Sequence, residues 1–175
     1  MAPSLKYAHV EREQRFLLAA IPAELSSVPA RTIHDRYLCG TRLRLRVIEE
    51  PDQEPILKLG QKIRMAVEPP MAVAHTTMYL DRADYDALVV MPAEELHKTR
   101  RVANLGDATF VVDAFHDQLA GLVLAEVDLG QDSSPLAGLP IPFLADVTSD
   151  DRFTGGALAA TASDALSRLL SEFTL

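Results

Sequence analysis

Polar and apolar residues alternate through much of the chain from Lys6 to Leu129. Side chains along a strand point alternately to opposite faces, so residues two apart share a face. In residues 6–18, Glu11, Glu13 and Arg15 share one face, and Val10, Phe16 and Leu18 lie on the other. Residues 31–48 read as two strands joined at Cys39-Gly40-Thr41, the second setting Arg42, Arg44 and Arg46 against Leu43, Leu45 and Val47. A strand over 55–67 sets Lys58, Lys62 and Arg64 against Leu57, Leu59 and Ile63. Pro69-Pro70 marks a turn, because neither residue can donate to a ladder, and 71–80 is a fifth strand. Three more are expected at 95–103, 107–116 and 121–129, with a tight hairpin at Asn104-Leu105-Gly106-Asp107.

Elsewhere the period changes. Asp81 is placed to cap a short helix over 82–91, with Ala83, Ala87 and Leu88 on one side. Residues 131–142 hold three prolines and read as a loop. The segment from Phe153 to Phe173 reads as one helix, with Leu158, Ala162, Ala165, Leu166, Leu169 and Leu170 in an apolar stripe. Gly155-Gly156 at its start lacks the lysine of a phosphate-binding loop and reads as a cap.

Alternation alone fits an ordinary half-buried sheet with its charged face in water. The distribution of sign points elsewhere. Acids sit on the first and last strands (Glu11, Glu13, Glu126, Asp128), with Asp113 opposite Phe110 and Val112. Bases sit on the middle strands, Lys98 and Arg100 among them. Eight strands can close into a barrel, which removes open edges. The charged face then becomes a lumen. Enclosed charges are costly unless paired or bound to a metal or ligand, so such a lumen calls for an anionic guest and a cation. The fold class expected is α+β: an eight-stranded antiparallel barrel with helices packed outside.

Composition narrows the setting. A chain of 175 residues suits one domain over 1–175. The net charge of -8, from 25 acidic and 17 basic residues, argues against a nucleic-acid partner. The single cysteine, Cys39, rules out an internal disulfide and suits a reducing compartment. The first residues lack the apolar run of a signal peptide, and no stretch has the length of a membrane helix. A cytoplasmic protein with no membrane partner is expected, and a homodimer is left open. His9, His34, His75, His97 and His116 show no metal spacing of the HxH or HExxH kind. His9 shares the face of Glu11, His75 sits in the fifth strand, and the others read as surface or turn residues.

Glu11-Arg12-Glu13-Gln14-Arg15-Phe16 resembles the ExExK signature that opens CYTH, or triphosphate tunnel, domains, with Arg15 in the lysine position. The similarity continues in order. Tyr37-Leu38 precedes the Arg44-Leu45-Arg46 strand, and residues 58–62 resemble the lysine-bearing strand. Lys98-Thr99-Arg100 resembles the KxR motif, and Asp113-Ala114-Phe115 and residues 122–128 the late acidic strands. Asp146-Val147-Thr148 resembles the EVT segment before the last helix.

This resemblance implies an eight-stranded tunnel, Mg²⁺ or Mn²⁺, and a triphosphate-bearing small molecule or polyphosphate as substrate. By position, Glu11, Glu13, Glu126 and Asp128 match metal-binding carboxylates, with Asp113 a further candidate. Arg15, Arg44, Arg46, Lys98, Arg100 and one or both of Lys58 and Lys62 match phosphate-binding positions. The family's fifth strand commonly carries an arginine and one or two glutamates; here it runs Ala74-His75-Thr76-Thr77-Met78-Tyr79-Leu80, without a carboxylate.

Mg²⁺ is usually held by one or two carboxylates plus phosphate oxygens, and arginine forks match phosphate bidentately. Either Glu13 or Asp128 is a candidate to orient the attacking water. The leading expectation is a metal-dependent triphosphatase. The rivals are a non-catalytic polyphosphate- or nucleotide-binding module and a class IV adenylate cyclase.

Overall fold

The computed structural model describes residues 6–65, 72–105, 108–130, 136 and 141–173. The Pro69-Pro70 turn, the Gly106-Asp107 tip of the hairpin and most of the 131–142 loop lie outside the described residues.

The strands are β1 (His9–Leu18), β2 (Ala30–Leu38), β3 (Leu43–Glu49), β4 (Ile56–Arg64), β5 (Ala72–Tyr79), β6 (Ala93–Leu105), β7 (Ala108–Phe115), β8 (Val123–Asp128) and a short β9 (Ala145–Asp146). They form one antiparallel sheet in the order β5-β4-β3-β2-β6-β7-β8-β1-β9, and β5 also pairs with β1. That last pairing closes an eight-stranded barrel. β1 divides one edge between two partners: His9 to Arg12 pair with β5, and Phe16 and Leu17 pair with β9. Its other edge pairs with β8 from Glu13 to Leu18. The β2–β3 connection runs through Gly40, whose φ of +70° is a left-handed conformation that suits glycine.

Among the described residues three α-helices lie outside the strands: α1 (Arg82–Val89), α2 (Gly155–Ala159) and α3 (Ser163–Ser171). Asp81 caps α1, its carboxylate accepting from the Asp84 amide at 2.8 Å. The side of α1 that packs is Tyr85, Leu88 and Val89, set on Leu38, Leu45 and Leu59 of the barrel's outer face. Ala83 and Ala87 are exposed. The larger side chains at i, i+3 and i+4 form the stripe instead.

The single helix expected at the C-terminal end is two. Ala162 is extended (ψ 155°), which separates α2 from α3. Thr161 lies in the break, its hydroxyl donating to the Ala157 carbonyl at 2.8 Å, a local bond that competes with the helix ladder.

Both helices close one end of the barrel. Leu17, Leu96, Phe115 and Leu124 continue the inward faces of β1, β6, β7 and β8, and pack with Phe153, Leu158, Leu166 and Leu169. Burying a side chain of this size stabilises by ~1.5–3 kcal/mol. A second apolar cluster covers the outer face of β1, β7 and β8, where Phe16, Phe110 and Val127 meet Leu25 and Ile141. The charged stretch of the lumen thus adjoins an apolar plug. No helix among the described residues is long and apolar enough to cross a membrane.

Candidate active site

Antiparallel pairing puts directly opposed residues on the same face, so the register decides which charges meet. On β1 and β8, Glu13 faces Asp128 and Arg15 faces Glu126. On β6 and β7, Arg100 faces Asp113. On β2 and β3, Asp35 faces Arg46 and Tyr37 faces Arg44. On β4 and β5, Lys62 faces His75.

The inner charges fall into two layers. The deeper one is saturated by ion pairs. Asp35, fully buried, accepts from Arg46 Nε and Nη2 at 2.6 Å each. Asp113 accepts from Lys98 at 2.6 Å and from Arg100 at 2.7 Å through both oxygens. Glu126 accepts from Arg15 Nη2 at 2.8 Å and Arg100 Nη2 at 3.2 Å. Burial opposes the charge on Asp35, but Arg46 and Arg44 hold its carboxyl well below the usual range. Burial likewise opposes the charge on Glu126, and Arg15, Arg100, Lys98 and Lys62 overcome it. Lys98 goes the other way: burial brings its ammonium down to about 8 against the pull of Asp113.

The second layer borders a cavity of about 420 Å³, within the range of small-molecule sites. Its polar lining includes Glu13, Arg15, Arg44, Lys62 and Arg64. Lys62 Nζ lies 2.9 Å from Glu11 Oε2 and 2.9 Å from Glu13 Oε1. Glu11 Oε1 meets His75 Nδ1 at 2.6 Å, and His75 Nε2 meets the Thr77 hydroxyl at 3.0 Å. Burial opposes the charge on Glu11, but the hydrogen bond from His75 and the charge of Lys62 lower its carboxyl to about 2. Burial and the nearby charge of Glu126 push the Glu13 carboxyl up, against the pull of Lys62.

Tyr37 and Gly155 form part of the cavity wall. A Cβ on Gly155 would stand 1.9 Å from the Tyr37 hydroxyl oxygen, so this contact requires glycine. The loop before α2 is tied to β1: the Arg15 amide donates to the Thr148 hydroxyl at 2.9 Å, and Arg15 Nη1 donates to the Phe153 carbonyl at 3.1 Å.

Of the positions singled out in the sequence, Glu13, Arg15, Arg44 and Lys62 line the cavity, with Glu11 bridged to Glu13 through Lys62. Arg46, Lys98, Arg100, Asp113 and Glu126 stand in the paired layer. Lys58 lies over the Tyr79 ring, its Nζ 4.7 Å from the centroid. Asp128 is exposed at the end of β8, where its carboxylate accepts from the Gly130 amide at 2.9 Å.

The sequence pattern did not single out Asp35 or the His75–Glu11 contact, and it placed Arg64 on the charged face of its strand without a phosphate-binding role. Asp35 was detectable in principle, since it shares the parity of Ile33 and Tyr37 on a strand already identified. His75 stands where β5 offers no carboxylate.

The donors around Glu11 and Glu13 suit a hard divalent cation. Glu11 Oε2 is shielded from solvent, and its one close cation is the Lys62 ammonium at 2.9 Å. Glu13 is crowded by another carboxylate. A divalent cation held by the pair would take the place that the Lys62 ammonium fills between them and relieve the crowding at Glu13.

The comparisons with known proteins agree with this geometry. Two solved structures of the protein NE1496 superpose on the chain. One, described as an inorganic triphosphatase, has 26% identity and a TM-score of 0.57 over 86% of this chain and 95% of that one. The other, described as a hypothetical protein, has 25% identity and a TM-score of 0.58 over 87% and 99%. A conserved hypothetical protein from Pyrococcus furiosus shares the fold at 14% identity, with a TM-score of 0.51 over 70% of this chain and 80% of that one. No protein-family description matches the sequence, and no curated protein does. The closed eight-stranded barrel with its charged lumen is the CYTH, or triphosphate tunnel, fold.

Proposed function

We propose that this protein hydrolyses a triphosphate, inorganic or nucleoside, with Mg²⁺ or Mn²⁺ as cofactor. The observation that carries the reading is the Glu11–Lys62–Glu13 bridge at a cavity whose other walls present Arg15, Arg44 and Arg64. Anion binding and cation binding thus sit side by side. The similarity to a structure described as an inorganic triphosphatase supports the same chemistry.

Phosphoryl transfer needs mainly positioning and charge stabilisation. Arg44 and Arg15 would grip phosphate oxygens, with Arg64 at the cavity wall. Arg44 lines the cavity, and its contact with Asp35 is long at 3.6 Å, so its guanidinium is not locked in a two-pronged ion pair as that of Arg46 is. Glu11 and Glu13 would hold the cation. When bound, it neutralises phosphate charge and makes water a better nucleophile. Glu13, whose carboxyl is pushed upward, is suited to orient a water and accept its proton. His75 fixes Glu11 in place. Arg46, Lys98 and Arg100 act from behind, keeping the barrel wall and its charges in register.

One feature favours a non-catalytic binding module as the second reading: β5 presents Val73, His75 and Thr77 inward, and no carboxylate. A phosphate-release assay on tripolyphosphate, ATP and thiamine triphosphate, with Mg²⁺ or Mn²⁺, separates the two. Metal-dependent release on any of them supports the enzyme. Binding of one of them without release on any leaves the binding module. Formation of cyclic AMP from ATP in the same assay would identify a cyclase instead.

A further inference from the structure

The outer wall of the barrel carries a second ligand cluster, unrelated to the cavity. His34 on β2 and His97 on β6 are directly opposed across the two strands, and Glu95 shares the outward face of His97 two residues earlier. Each of the three offers one ligand atom, and these atoms all lie within 4.8 Å of one another. The His34 and His97 rings meet edge to face, with centroids 4.0 Å apart. His34 Nε2 and Glu95 Oε2 are 3.3 Å apart. Ligands about 2.1 Å from a tetrahedral ion stand about 3.4 Å from each other, so this pair already has the required separation.

Two further contacts orient the group. Asp117 Oδ2 lies 2.5 Å from His97 Nδ1. A carboxylate there holds the proton on Nδ1 and leaves the Nε2 lone pair free, the arrangement typical of metal-ligating histidines. His97 Nε2 is shielded from solvent and has no hydrogen-bond partner. On the other side, Arg36 pairs with Glu95 Oε1, which turns Oε2 toward His34.

We propose that His34, Glu95 and His97 form a binding site for a transition-metal ion of the Zn²⁺ class, with Asp117 as the carboxylate behind His97. Two imidazoles and one carboxylate select such an ion over Mg²⁺, which prefers oxygen donors throughout. The three side chains are 34–43% exposed, so water completes the fourth position. The ion would staple β2 to β6. On the inward face of the same strands, Asp35 and Lys98 hold the deep ion pairs. The proposal does not rest on the tunnel being an enzyme, and failure of phosphate release would leave it intact.

The test is titration of the purified 175-residue chain with Co²⁺, followed by its visible d–d absorption, with Zn²⁺ as competitor. With millimolar Mg²⁺ present to fill the carboxylate site of the cavity, one Co²⁺ per chain should bind with a tetrahedral spectrum and be displaced by Zn²⁺. Cys39→Ser should leave the spectrum unchanged. His34→Ala and His97→Ala should each weaken binding at least tenfold, and Asp117→Asn should weaken it by ~10–100-fold. Glu95→Gln, nearly isosteric, keeps the test available if a histidine variant fails to fold. Zn²⁺ should also raise the melting temperature of the wild type but not of Glu95→Gln. Absence of a Co²⁺ spectrum in the wild type would overturn the proposal, as would a spectrum that survives Glu95→Gln and both histidine changes.

Discussion

Asp35 and Arg46 meet as a two-pronged ion pair, 2.6 Å at each prong, with the carboxylate wholly buried. Removing one partner of a buried pair leaves an uncompensated charge and typically costs ~3–5 kcal/mol. Asp35→Ala should therefore destabilise the fold by that order in urea unfolding at neutral pH. Arg46→Ala should do the same, and its main effect should be on stability rather than on phosphate affinity. An Arg46→Ala protein as stable as wild type would return Arg46 to the ligand-binding set.

Arg44 differs from Arg46 although the two are neighbours on one face. It lines the cavity, and its contact with Asp35 is long at 3.6 Å. Tripolyphosphate should raise the melting temperature of the wild type, because a ligand that binds only the folded state stabilises it by ~2.7 kcal/mol at a hundredfold excess over Kd. The rise should shrink in Arg44→Ala. Differential scanning fluorimetry at several ligand concentrations gives the comparison.

Glu13→Gln should lower phosphate release by ~100-fold or more while leaving tripolyphosphate binding in place. The positive residues supply most of the attraction to the anion, whereas turnover depends on a cation and a water held in line, where misplacement costs about that factor. Release at the wild-type rate would show that Glu13 neither holds the cation nor accepts the proton.

The carboxylates also predict how stability follows pH. Glu11 and Asp35 have folded-state values below their ordinary ones, that of Glu11 at about 2. Their contributions are full above the unfolded-state values and are lost as pH falls through the folded ones. Urea stability should fall from about pH 5 toward pH 2, and the fall should be shallower in Glu11→Gln. Glu13 is raised and acts in the opposite sense: its contribution is present below the unfolded value of 4.5 and is lost as pH rises through its folded value. Without metal, Glu13→Gln should therefore be at least as stable as wild type at pH 7.

Gly155→Ala tests the contact between the α2 end and the cavity wall. The added methyl meets the Tyr37 hydroxyl at 1.9 Å, so the ring or the helix must move. Overpacking of this kind costs ~1–3 kcal/mol. Thermal unfolding should show the loss, and Tyr37→Phe should recover part of it by removing the oxygen.

Local periodicity was enough to place the eight barrel strands and to put Glu11, Glu13, Arg15, Arg44 and Arg46 on inward faces, because alternation is a property of each strand alone. It also placed the Asp81 cap and the turn at Gly40. It could not say which inward charges reach a ligand. Arg44 and Arg46 have the same parity and residue type. Only the register of β2 against β3 puts Asp35 on Arg46, leaving Arg44 at the cavity. Lys62 reaches Glu11 and Glu13 because β5 closes the barrel onto β1, bringing β4 beside the start of the chain. The pairing of His34 with His97 has the same origin, since spacing along the chain cannot reveal ligands supplied by two strands. Sequence alone determined the strands and their faces, which depend on neighbouring residues. Tertiary structure decided the partners, because cross-strand register and barrel closure bring together residues far apart in the chain.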